Sequence, residues 1–454
     1  MDFQKAITIS GKIYDFLKKF NLEKHFRVDN IIDNYYPQIL SRLQNYSNTA
    51  KIAVCSTNGK RTLVDYLNQI IKANSQTTIS NVDKNGNKNP VLTSIVLELN
   101  NGEDKRNYYT MAFDEYELEA YFNSMKFDYL LLNNILYDHR DFLTCEEKRK
   151  DIQDAIVLNS KLNLVVNADD AYLYAIDDIK NDTVLNKKRK KVLYGFNNVE
   201  FYNSAPDLGQ KNDLIKCPRC NCDLGFDKHF YSHLGHYNCE CGFKRPKPDV
   251  EADVKIFRDY SFLNVFYEGE KYSFKVPQGG LYNAYNALGA IALAFELKIP
   301  RKIIQEAFEN YEFLTFRDEI INHNKRNIKI KIAKNPSSLS EALRELYYTK
   351  DYKVVFCISD TPDDGVDTSW IWDSNFKSLS GFENKIFVSS KRFDDMALRL
   401  KYANVNPSLI VMDQSINHAI ECCYWDLEED ENMLIVTTPS LIKEVKTAIK
   451  KCLQ

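Results

Sequence analysis

The chain has 454 residues with 60 basic and 63 acidic side chains, and its formal net charge of −3 excludes the globally positive surface typical of nucleic-acid-binding proteins. Its 44% hydrophobic content excludes a mainly disordered chain, and its 15 glycines and 12 prolines are too few for a collagen-like or linker-rich one. No apolar run reaches the roughly 18 residues of a membrane span and the first residues lack a signal-peptide layout, so we expect a soluble cytoplasmic protein of two or three domains.

The first third of the chain contains a candidate phosphate-binding loop. Residues 1–45 have helical periodicity and predict an N-terminal helical segment. A buried strand is then predicted at 51–55 and an amphipathic helix from 63 onward, with a Gly-Lys turn between them. In such a turn Gly59 lets the backbone approach phosphate closely, and Lys60 reaches the terminal phosphates. The strict Walker pattern fails where Val54 and Arg61 stand, so an ordinary surface turn is an equal alternative.

Polar residues follow the next two predicted strands. The strand at 129–132 is followed by Asn134 and Asp138, and the strand at 162–166 by the run Asn167-Ala168-Asp169-Asp170. Open α/β sheets bind ligands just past the carboxyl ends of their strands. We therefore expect these side chains near the candidate phosphate loop.

From residue 316 onward the pattern predicts a separate C-terminal α/β domain, 316–454, of Rossmann-like type. Its predicted strands are 328–332, 354–358, 385–388, 409–411 and 433–436. They alternate with predicted helices at 339–347, 393–402 and 441–452.

The cysteines are clustered, because five of the 11 fall within 25 residues: Cys217, Cys220, Cys222, Cys239 and Cys241. In a reducing compartment such a cluster indicates metal ligation rather than disulfides. A CxxC pair and a CxC pair separated by 18 residues predict a structural four-thiolate zinc ribbon at 215–248, with Cys217, Cys220, Cys239 and Cys241 as ligands. Other candidate ligands within the ribbon are Cys222, His229, His233 and His236.

Around these cysteines the sequence resembles the MurT family, the Mur-ligase-like subunits of lipid II isoglutaminyl synthases. The resemblance begins with the ribbon segment Tyr231-Ser232-His233-Leu234-Gly235-His236-Tyr237 and covers about residues 45–454. Further matching motifs, in chain order, are Thr57-Asn58-Gly59-Lys60, Asn167-Ala168-Asp169-Asp170, Gly280–Ala287, Lys334-Asn335-Pro336, Asp364–Asp373 and Asp395–Ala403.

The resemblance implies a Mur-ligase-like P-loop ATPase domain at 46–315 with the zinc ribbon inserted, followed by the C-terminal domain. It implies an enzyme of peptidoglycan biosynthesis, and hence of cell wall biogenesis and cell shape, that forms C–N bonds at the inner face of the cell membrane. With ATP and Mg²⁺ this subunit would phosphorylate the α-carboxylate of D-glutamate in lipid II. Ammonia from a separate GatD-type glutaminase subunit would then attack the acyl phosphate and give D-isoglutamine. The implied cofactors are therefore ATP, Mg²⁺ and a structural Zn²⁺. The resemblance implies no nucleic-acid partner.

The resemblance also assigns site residues. Those implied to bind ATP are Thr57, Asn58, Gly59, Lys60, Arg61, Thr62, Asn134, Asp138, Asn283, Asn286 and Arg317. Asp364, or second Asp367, would complete the catalytic Cys-His pair of the glutaminase by fixing the tautomer of its histidine. Helix capping is the alternative role of these two aspartates. This chain itself has no cysteine in a Gly-x-Cys-x-Gly elbow, so the ammonia has to come from elsewhere.

Three departures from the family pattern fall at the site of the chemistry. Arg61 stands where the family has a Mg²⁺-binding threonine, and Ala112 stands where it has an acidic residue. The asparagine-rich loop at 81–90 also differs from the family's Asn-x-x-Gly-Ala-Asn. An alternative function follows, a MurT-like scaffold that binds the glutaminase without turning over ATP. A third hypothesis, a zinc-ribbon nucleic-acid protein, rests on the basic residues of the ribbon and is opposed by the net charge.

Overall fold

The computed structural model describes residues 8–9, 11–14, 19, 40–41, 49–83, 88, 91–100, 107–138, 143–178, 189–201, 216–311, 320–324, 326–348, 351–362, 364–428 and 431–453. Most of the helical segment predicted at 1–45 lies outside these residues, as does Arg317. Within the described residues, no helix combines the length and the apolar character that crossing a bilayer requires.

The strands of the described part, in chain order, are β1 Lys51–Cys55, β2 Thr77–Ser80, β3 Asn107–Phe113, β4 Tyr129–Leu132, β5 Asn163–Asn167, β6 Lys191–Phe201, β7 Gly225–Tyr231, β8 Leu234–Asn238, β9 Val250–Ile256, β10 Ser261–Tyr267, β11 Glu270–Val276, β12 Ile320–His323, β13 Arg326–Ile332, β14 Tyr352–Cys357, β15 Ile386–Ser389, β16 Ile410–Asp413 and β17 Asn432–Thr437. The helices are α1 Lys60–Ala73, α2 Val91–Asn100, α3 Leu118–Ser124, α4 Cys145–Val157, α5 Ala171–Tyr174, α6 Leu281–Glu296, α7 Arg301–Glu309, α8 Pro336–Tyr348, α9 Trp370–Asp373, α10 Phe393–Tyr402, α11 Ile416–Trp425 and α12 Ile442–Cys452.

The first domain is built on a sheet of strand order β11-β10-β9-β6-β5-β4-β1-β3-β2. Its strands are parallel from β9 to β2, while β10 and β11 form an antiparallel edge. Strand β1 lies inside the sheet between β4 and β3, and its residues 52–55 are apolar and buried because both faces of the sheet are covered. Ile52 and Val54 face the cluster that includes α1 and α6, whereas Ala53 and Cys55 face the cluster that includes α3 and α4. The loop after β1 therefore emerges at the carboxyl edge of the sheet, between the ends of β4 and β3, where α/β folds bind ligands.

The second domain is a parallel sheet of order β12-β13-β17-β14-β15-β16, with β12 antiparallel to β13. Helices α8 and α10 pack on one face, and α11 and α12 on the other. This covered parallel sheet is the Rossmann-like fold that the sequence predicts, and the five predicted strands and three predicted helices are present. Strand β12 and helix α11 were not predicted.

The ribbon contains an antiparallel hairpin, β7 and β8. It is inserted in the chain between β6 and β9, which remain paired neighbours in the first sheet. Its base packs on α5 through a small cluster that contains Ala171, Cys217, Tyr237 and Phe243.

Candidate functional site

The loop between β1 and α1 has the backbone geometry of a phosphate-binding loop. Gly59 has a φ of 86°, and a Cβ at this position would lie 2.3 Å from the Oδ1 atom of Asn286. Glycine is therefore required both by the left-handed backbone and by the close approach of α6. Asn286 is fully buried, and its Nδ2 has no hydrogen-bond partner among the described residues. A buried unpaired donor costs free energy, so Asn286 is suited to a polar ligand at this loop.

Lys60 is held beside the loop by an acidic partner. Its Nζ donates to the carbonyl of Ser56 at 2.8 Å and lies 2.6 Å from Oδ1 of Asp114, which also pairs with Lys88. Burial alone would raise the pKa of Asp114, but the two ammonium groups hold that pKa well below its ordinary value. The lysine is thus pre-oriented, and its charge is balanced until an anion competes for it.

The loop after β4 lies against the phosphate loop, as expected from the strand ends. Asn134 and Asn58 exchange two hydrogen bonds, from the Asn58 N–H to Oδ1 at 2.9 Å and from Nδ2 to the Asn58 carbonyl at 3.0 Å. Thr57 accepts from the N–H of Leu136 at 2.9 Å and donates to Oε1 of Glu115 at 2.5 Å. The hydrogen bonds of Asn134 and Thr57 therefore hold the phosphate loop in one conformation.

The second domain contributes Lys334 and Asn335 to this site, a contact that sequence reasoning missed. Lys334 Nζ lies 3.0 Å from Oδ2 of Asp138 and 3.0 Å from the carbonyl of Thr57. Asn335 exchanges side-chain hydrogen bonds with Asn58 at 3.1 and 3.3 Å. In the sequence, the motif Lys334-Asn335-Pro336 matches the family and could have pointed to this contact, but the resemblance assigns it no role.

The two domains enclose a cleft over the phosphate loop, lined by Asn58, Gly59, Thr62, Tyr231, Gln278, Tyr282, Asn283, Lys331, Ile332, Lys334, Ser338 and Ala342. Its volume of about 70 Å³ is far below the roughly 300–1,000 Å³ of sites that hold small molecules. The described arrangement is therefore closed, and a nucleotide requires the two domains to separate.

The remaining positions assigned from the sequence are dispersed around this cleft. Thr62 and Asn283 line it, and Asn283 donates to the carbonyl of Gly279 at 2.8 Å. Arg61 is half-buried on α1. Ala112 belongs to the apolar cluster under α1. The acidic side chains that contact the phosphate loop come from Asp114, which pairs with Lys60, and from Glu115, which accepts a hydrogen bond from Thr57.

The cysteines at the base of the ribbon form one cluster. The sulfur atoms of Cys217, Cys220, Cys239 and Cys241 lie within 4.8 Å of one another. Cys217 and Cys241 are 3.6 Å apart, and Cys220 and Cys239 are 3.5 Å apart. A tetrahedral zinc with Zn–S bonds of about 2.3 Å separates its sulfurs by about 3.8 Å, so this cluster could hold a metal such as zinc.

The alternative ligands of the ribbon lie elsewhere. The sulfur of Cys222 lies 3.9 Å from the carbonyl of Cys220 and is not part of the four-thiol cluster. His229 bonds to the carbonyl of Ser232, and His236 bonds to the carbonyl of Phe196 at 2.9 Å. His233 lies 3.3 Å from Oδ2 of Asp170.

The aspartates that follow β5 anchor the ribbon. Asp169 accepts from Arg245 at 2.5 Å and from the hydroxyl of Tyr285 at 2.8 Å. Asp170 caps α5 and accepts from the N–H of Ile135 at 2.9 Å. Both carboxylates are completely buried, and each accepts hydrogen bonds from several protein donors.

The two aspartates implied to serve a partner differ in accessibility. Asp364 is buried and accepts hydrogen bonds from the N–H and the hydroxyl of Ser440. Asp367 is half-buried and accepts from the N–H of Ser369 at 2.8 Å, just before α9. Of these two aspartates, Asp367 therefore has the more accessible carboxylate.

Comparison with known proteins places this geometry in a family. The Mur ligase middle domain matches residues 54–223, and the MurT ligase C-terminal domain matches residues 332–441. The subunit MurT of the lipid II isoglutaminyl synthase (glutamine-hydrolyzing) of Staphylococcus aureus (strain COL) is 29% identical over 79% of this chain and 79% of its own length. The chain thus combines a Mur ligase middle domain with a MurT ligase C-terminal domain and is similar to MurT subunits over most of its length. The resemblance read from the sequence is thereby confirmed.

Other members and neighbours agree with this assignment. The MurT subunit of Streptococcus pneumoniae (strain ATCC BAA-255 / R6) is 24% identical over 77% of this chain and 76% of its own length. A solved pseudomurein peptide ligase type C from Methanothermus fervidus superposes with a TM-score of 0.66 at 21% identity, covering 94% of this chain and 84% of that one. MurF from Acinetobacter baumannii superposes with a TM-score of 0.64 at 14% identity, covering 91% of this chain and 79% of that one. These structures show that a MurT-type chain has the Mur-ligase fold, which confirms the predicted fold class.

Proposed function

We propose that this MurT-type chain is the synthetase subunit of a lipid II isoglutaminyl synthase. It uses ATP to activate the α-carboxylate of the D-glutamate residue of lipid II, and ammonia from a separate GatD-type glutaminase then gives D-isoglutamine. The observation that carries the proposal is the closed site in which Lys60 of the first domain and Lys334 of the second converge on one loop. The curated relatives, whose names give this activity, support the choice of substrate.

Activation is needed because a carboxylate resists nucleophiles until one of its oxygens becomes part of a leaving group. Transfer of a phosphoryl group to that oxygen requires mainly positioning and charge neutralisation. Lys60 and Lys334 supply two positive charges, and the N–H groups of the Gly59 turn and of the start of α1 supply dipoles. Asn286 offers its unpaired Nδ2 to the nucleotide. Closure of the second domain excludes water that would hydrolyse an acyl phosphate.

The donors near the loop suit Mg²⁺, which prefers hard oxygen ligands. Asp138, Glu115 and the hydroxyl of Thr57 provide such oxygens around Lys60 and would hold the ion with the phosphates. Bound there, Mg²⁺ would neutralise phosphate charge. Arg61 is a cation at the adjacent position and lowers the affinity for a metal, so Asp138 has to supply much of the binding.

We also propose that Asp367 completes the Cys-His pair of the glutaminase, ahead of Asp364. The reason is access, because Asp364 is buried and occupied by Ser440. In the complex, Asp367→Asn is expected to reduce glutamine hydrolysis by at least about tenfold through loss of the tautomer-fixing carboxylate. Asp364→Asn is expected to lower the stability of the second domain instead.

The four-thiol cluster is proposed to bind one structural Zn²⁺. Four thiolates leave no open coordination position, so the metal has no place in the chemistry. The protein is proposed to act in the cytoplasm at the inner face of the membrane, where lipid II presents its peptide.

A second candidate function is a scaffold that binds the glutaminase without turning over ATP. Arg61 and the small closed cleft favour it. Titration calorimetry separates the two candidates. Binding of ATP that requires Mg²⁺ and is lost in Lys60→Met is expected for the synthetase, whereas no binding to the complex with the glutaminase would establish the scaffold.

A further inference from the structure

One edge of the second domain brings together an aspartate, a histidine and a cysteine that the proposed function does not use. β16 is the edge strand of the second sheet and ends at Asp413, and α11 begins at Ile416. His418 and Cys422 are four residues apart on α11, so their side chains are neighbours on one face of the helix. Nδ1 of His418 donates to Oδ2 of Asp413, and Nε2 of His418 lies 3.5 Å from the sulfur of Cys422. The three side chains therefore form a carboxylate–imidazole–thiol relay.

The turn before α11 orients the carboxylate of this relay. The N–H of Ser415 donates to Oδ1 of Asp413 at 2.8 Å, which leaves Oδ2 for the imidazole. Ser415 also caps α11, because its hydroxyl accepts from the N–H of His418 at 3.3 Å. With the ring proton on Nδ1, the neutral imidazole has its lone pair on Nε2, which faces the sulfur. His418 is therefore arranged to accept the proton of the Cys422 thiol.

The thiol is accessible, and it needs this base. Cys422 is half-buried, and the His418 side chain is 63% exposed. The pKa of Cys422 is raised above its ordinary value by burial and then by three acidic side chains, Asp413, Glu421 and Asp426. The resting sulfur therefore keeps its proton, and the sulfur becomes a nucleophile when a neighbouring base takes that proton.

The backbone around Cys422 determines which chemistry fits the relay. Acyl transfer requires hydrogen-bond donors for an oxyanion. Cys422 lies inside α11, where the backbone N–H groups are used within the helix. Exchange between a thiol and a disulfide requires only that a thiolate reach a sulfur atom, with no oxyanion to stabilise. Thiol–disulfide exchange is therefore the reaction that this site can support.

We propose that Cys422 is a modification site that forms mixed disulfides with low-molecular-weight disulfides, with His418 as the base and Asp413 as a positioning residue. The proton of Cys422 moves to Nε2 of His418 while the sulfur bonds to one sulfur of the disulfide. The S–S bond of the disulfide breaks, and the leaving thiolate takes the proton from the imidazole. Cys422 is thereby oxidised and half of the small disulfide is reduced to a thiol, so the disulfide itself is the oxidant. The reaction requires neither nucleotide nor partner subunit.

The same domain offers a matched reference thiol. Cys452 is also half-buried, and its pKa is also raised by burial and by Glu421. Among the described residues, no imidazole is hydrogen-bonded to its sulfur. A difference in reactivity between Cys422 and Cys452 therefore measures the effect of the relay rather than that of burial.

Glu421 offers a matched control for charge. Asp413→Asn and Glu421→Gln each remove one negative charge near the Cys422 sulfur. Charge alone predicts that both substitutions lower the pKa of Cys422 and speed its reaction. The relay predicts that Asp413→Asn slows the reaction, because Asp413 holds the imidazole in the reactive tautomer.

Peptide mass spectrometry of the full-length protein after incubation with cystamine at pH 8 tests the proposal. Cystamine is chosen because its positive charges suit the acidic face around Cys422. In the wild type we expect Cys422 to form the mixed disulfide at least about tenfold faster than Cys452. His418→Gln is expected to slow Cys422 at least about tenfold, and Asp413→Asn about three- to tenfold. Glu421→Gln is expected to react at the wild-type rate or faster.

Three results would overturn the proposal. They are a wild-type Cys422 that reacts no faster than Cys452, an unchanged rate at Cys422 in His418→Gln, and equal rates in Asp413→Asn and Glu421→Gln. The neighbouring Cys423 is buried in the core, so its protection from cystamine shows that a variant has kept its fold. The comparison within the wild type needs no variant, and it decides the proposal even if a substitution unfolds the domain.

Discussion

The ion pair between Lys334 and Asp138 is one of the contacts that join the two domains. The atoms lie 3.0 Å apart, and the side chains are 11% and 2% exposed. At an effective dielectric constant of about 20, the attraction at this distance is about 5–6 kcal/mol before desolvation is subtracted. Removing one member of such a pair typically costs about 3–5 kcal/mol, because the other charge stays buried. Opening of the cleft lets water reach Asp138, so the lower limit applies.

We therefore expect Lys334→Met, which keeps the chain length and removes the charge, to destabilise the second domain by about 3 kcal/mol. All three tryptophans, Trp370, Trp372 and Trp425, lie in that domain, so their fluorescence during urea unfolding reports on it alone. Combining this variant with Asp138→Asn is expected to restore about 2 kcal/mol, since the orphaned carboxylate is then neutral. This account of the interface would be refuted if the losses of unfolding free energy in the two single variants added up in the double variant to within about 0.5 kcal/mol. It would also be refuted if Lys334→Met unfolded at the same urea concentration as the wild type.

Three other expectations follow from the structure. In the complex with the glutaminase, Arg61→Thr should raise Mg²⁺-dependent ATP turnover at least about fivefold, because about 1 kcal/mol of repulsion between Arg61 and the metal is removed. Slower turnover in this variant would show instead that the Arg61 charge replaces that of the metal. Elemental analysis should find about one zinc per chain, retained in Cys222→Ser and lost in Cys217→Ala, and protein free of metal when purified without chelator would contradict this. Burial raises the pKa of Asp65 to about 6, although Tyr311 donates to it at 2.5 Å. Between about pH 4 and 6 the unfolded chain releases this proton and the folded chain keeps it, so stability should fall by up to about 3 kcal/mol as pH rises. Asp65→Asn should abolish that fall in the thermal midpoint, and an unchanged profile would rule Asp65 out as its source.

The sequence was sufficient to predict the elements that depend on local pattern. The apolar strand 51–55, the turn at Gly59 and the helix after it appear where the periodicity indicates. The alternation of strands and helices beyond 316 likewise predicts the second sheet. Such features are encoded by residues close together in the chain, which periodicity and turn chemistry detect.

The parts that could not be predicted depend on pairs distant in sequence. Lys334 meets Asp138 across 196 residues, and Asn335 meets Asn58 across 277. Nothing in the local pattern around Lys334 specifies which loop it will contact. For Asp169 and Asp170 the sequence predicted too much. Their position after a strand predicted a ligand site, but side chains of the ribbon, Arg245 and His233, contact these carboxylates instead.

The central claim is that this chain, supplied with ammonia, converts a carboxyl group of lipid II into a carboxamide at the expense of ATP. Mass spectrometry of lipid II incubated with the chain, its cognate glutaminase, glutamine, ATP and Mg²⁺ measures this directly. We predict amidated product that requires ATP and is absent with Lys60→Met. Hydrolysis of glutamine without amidated lipid II would contradict the claim.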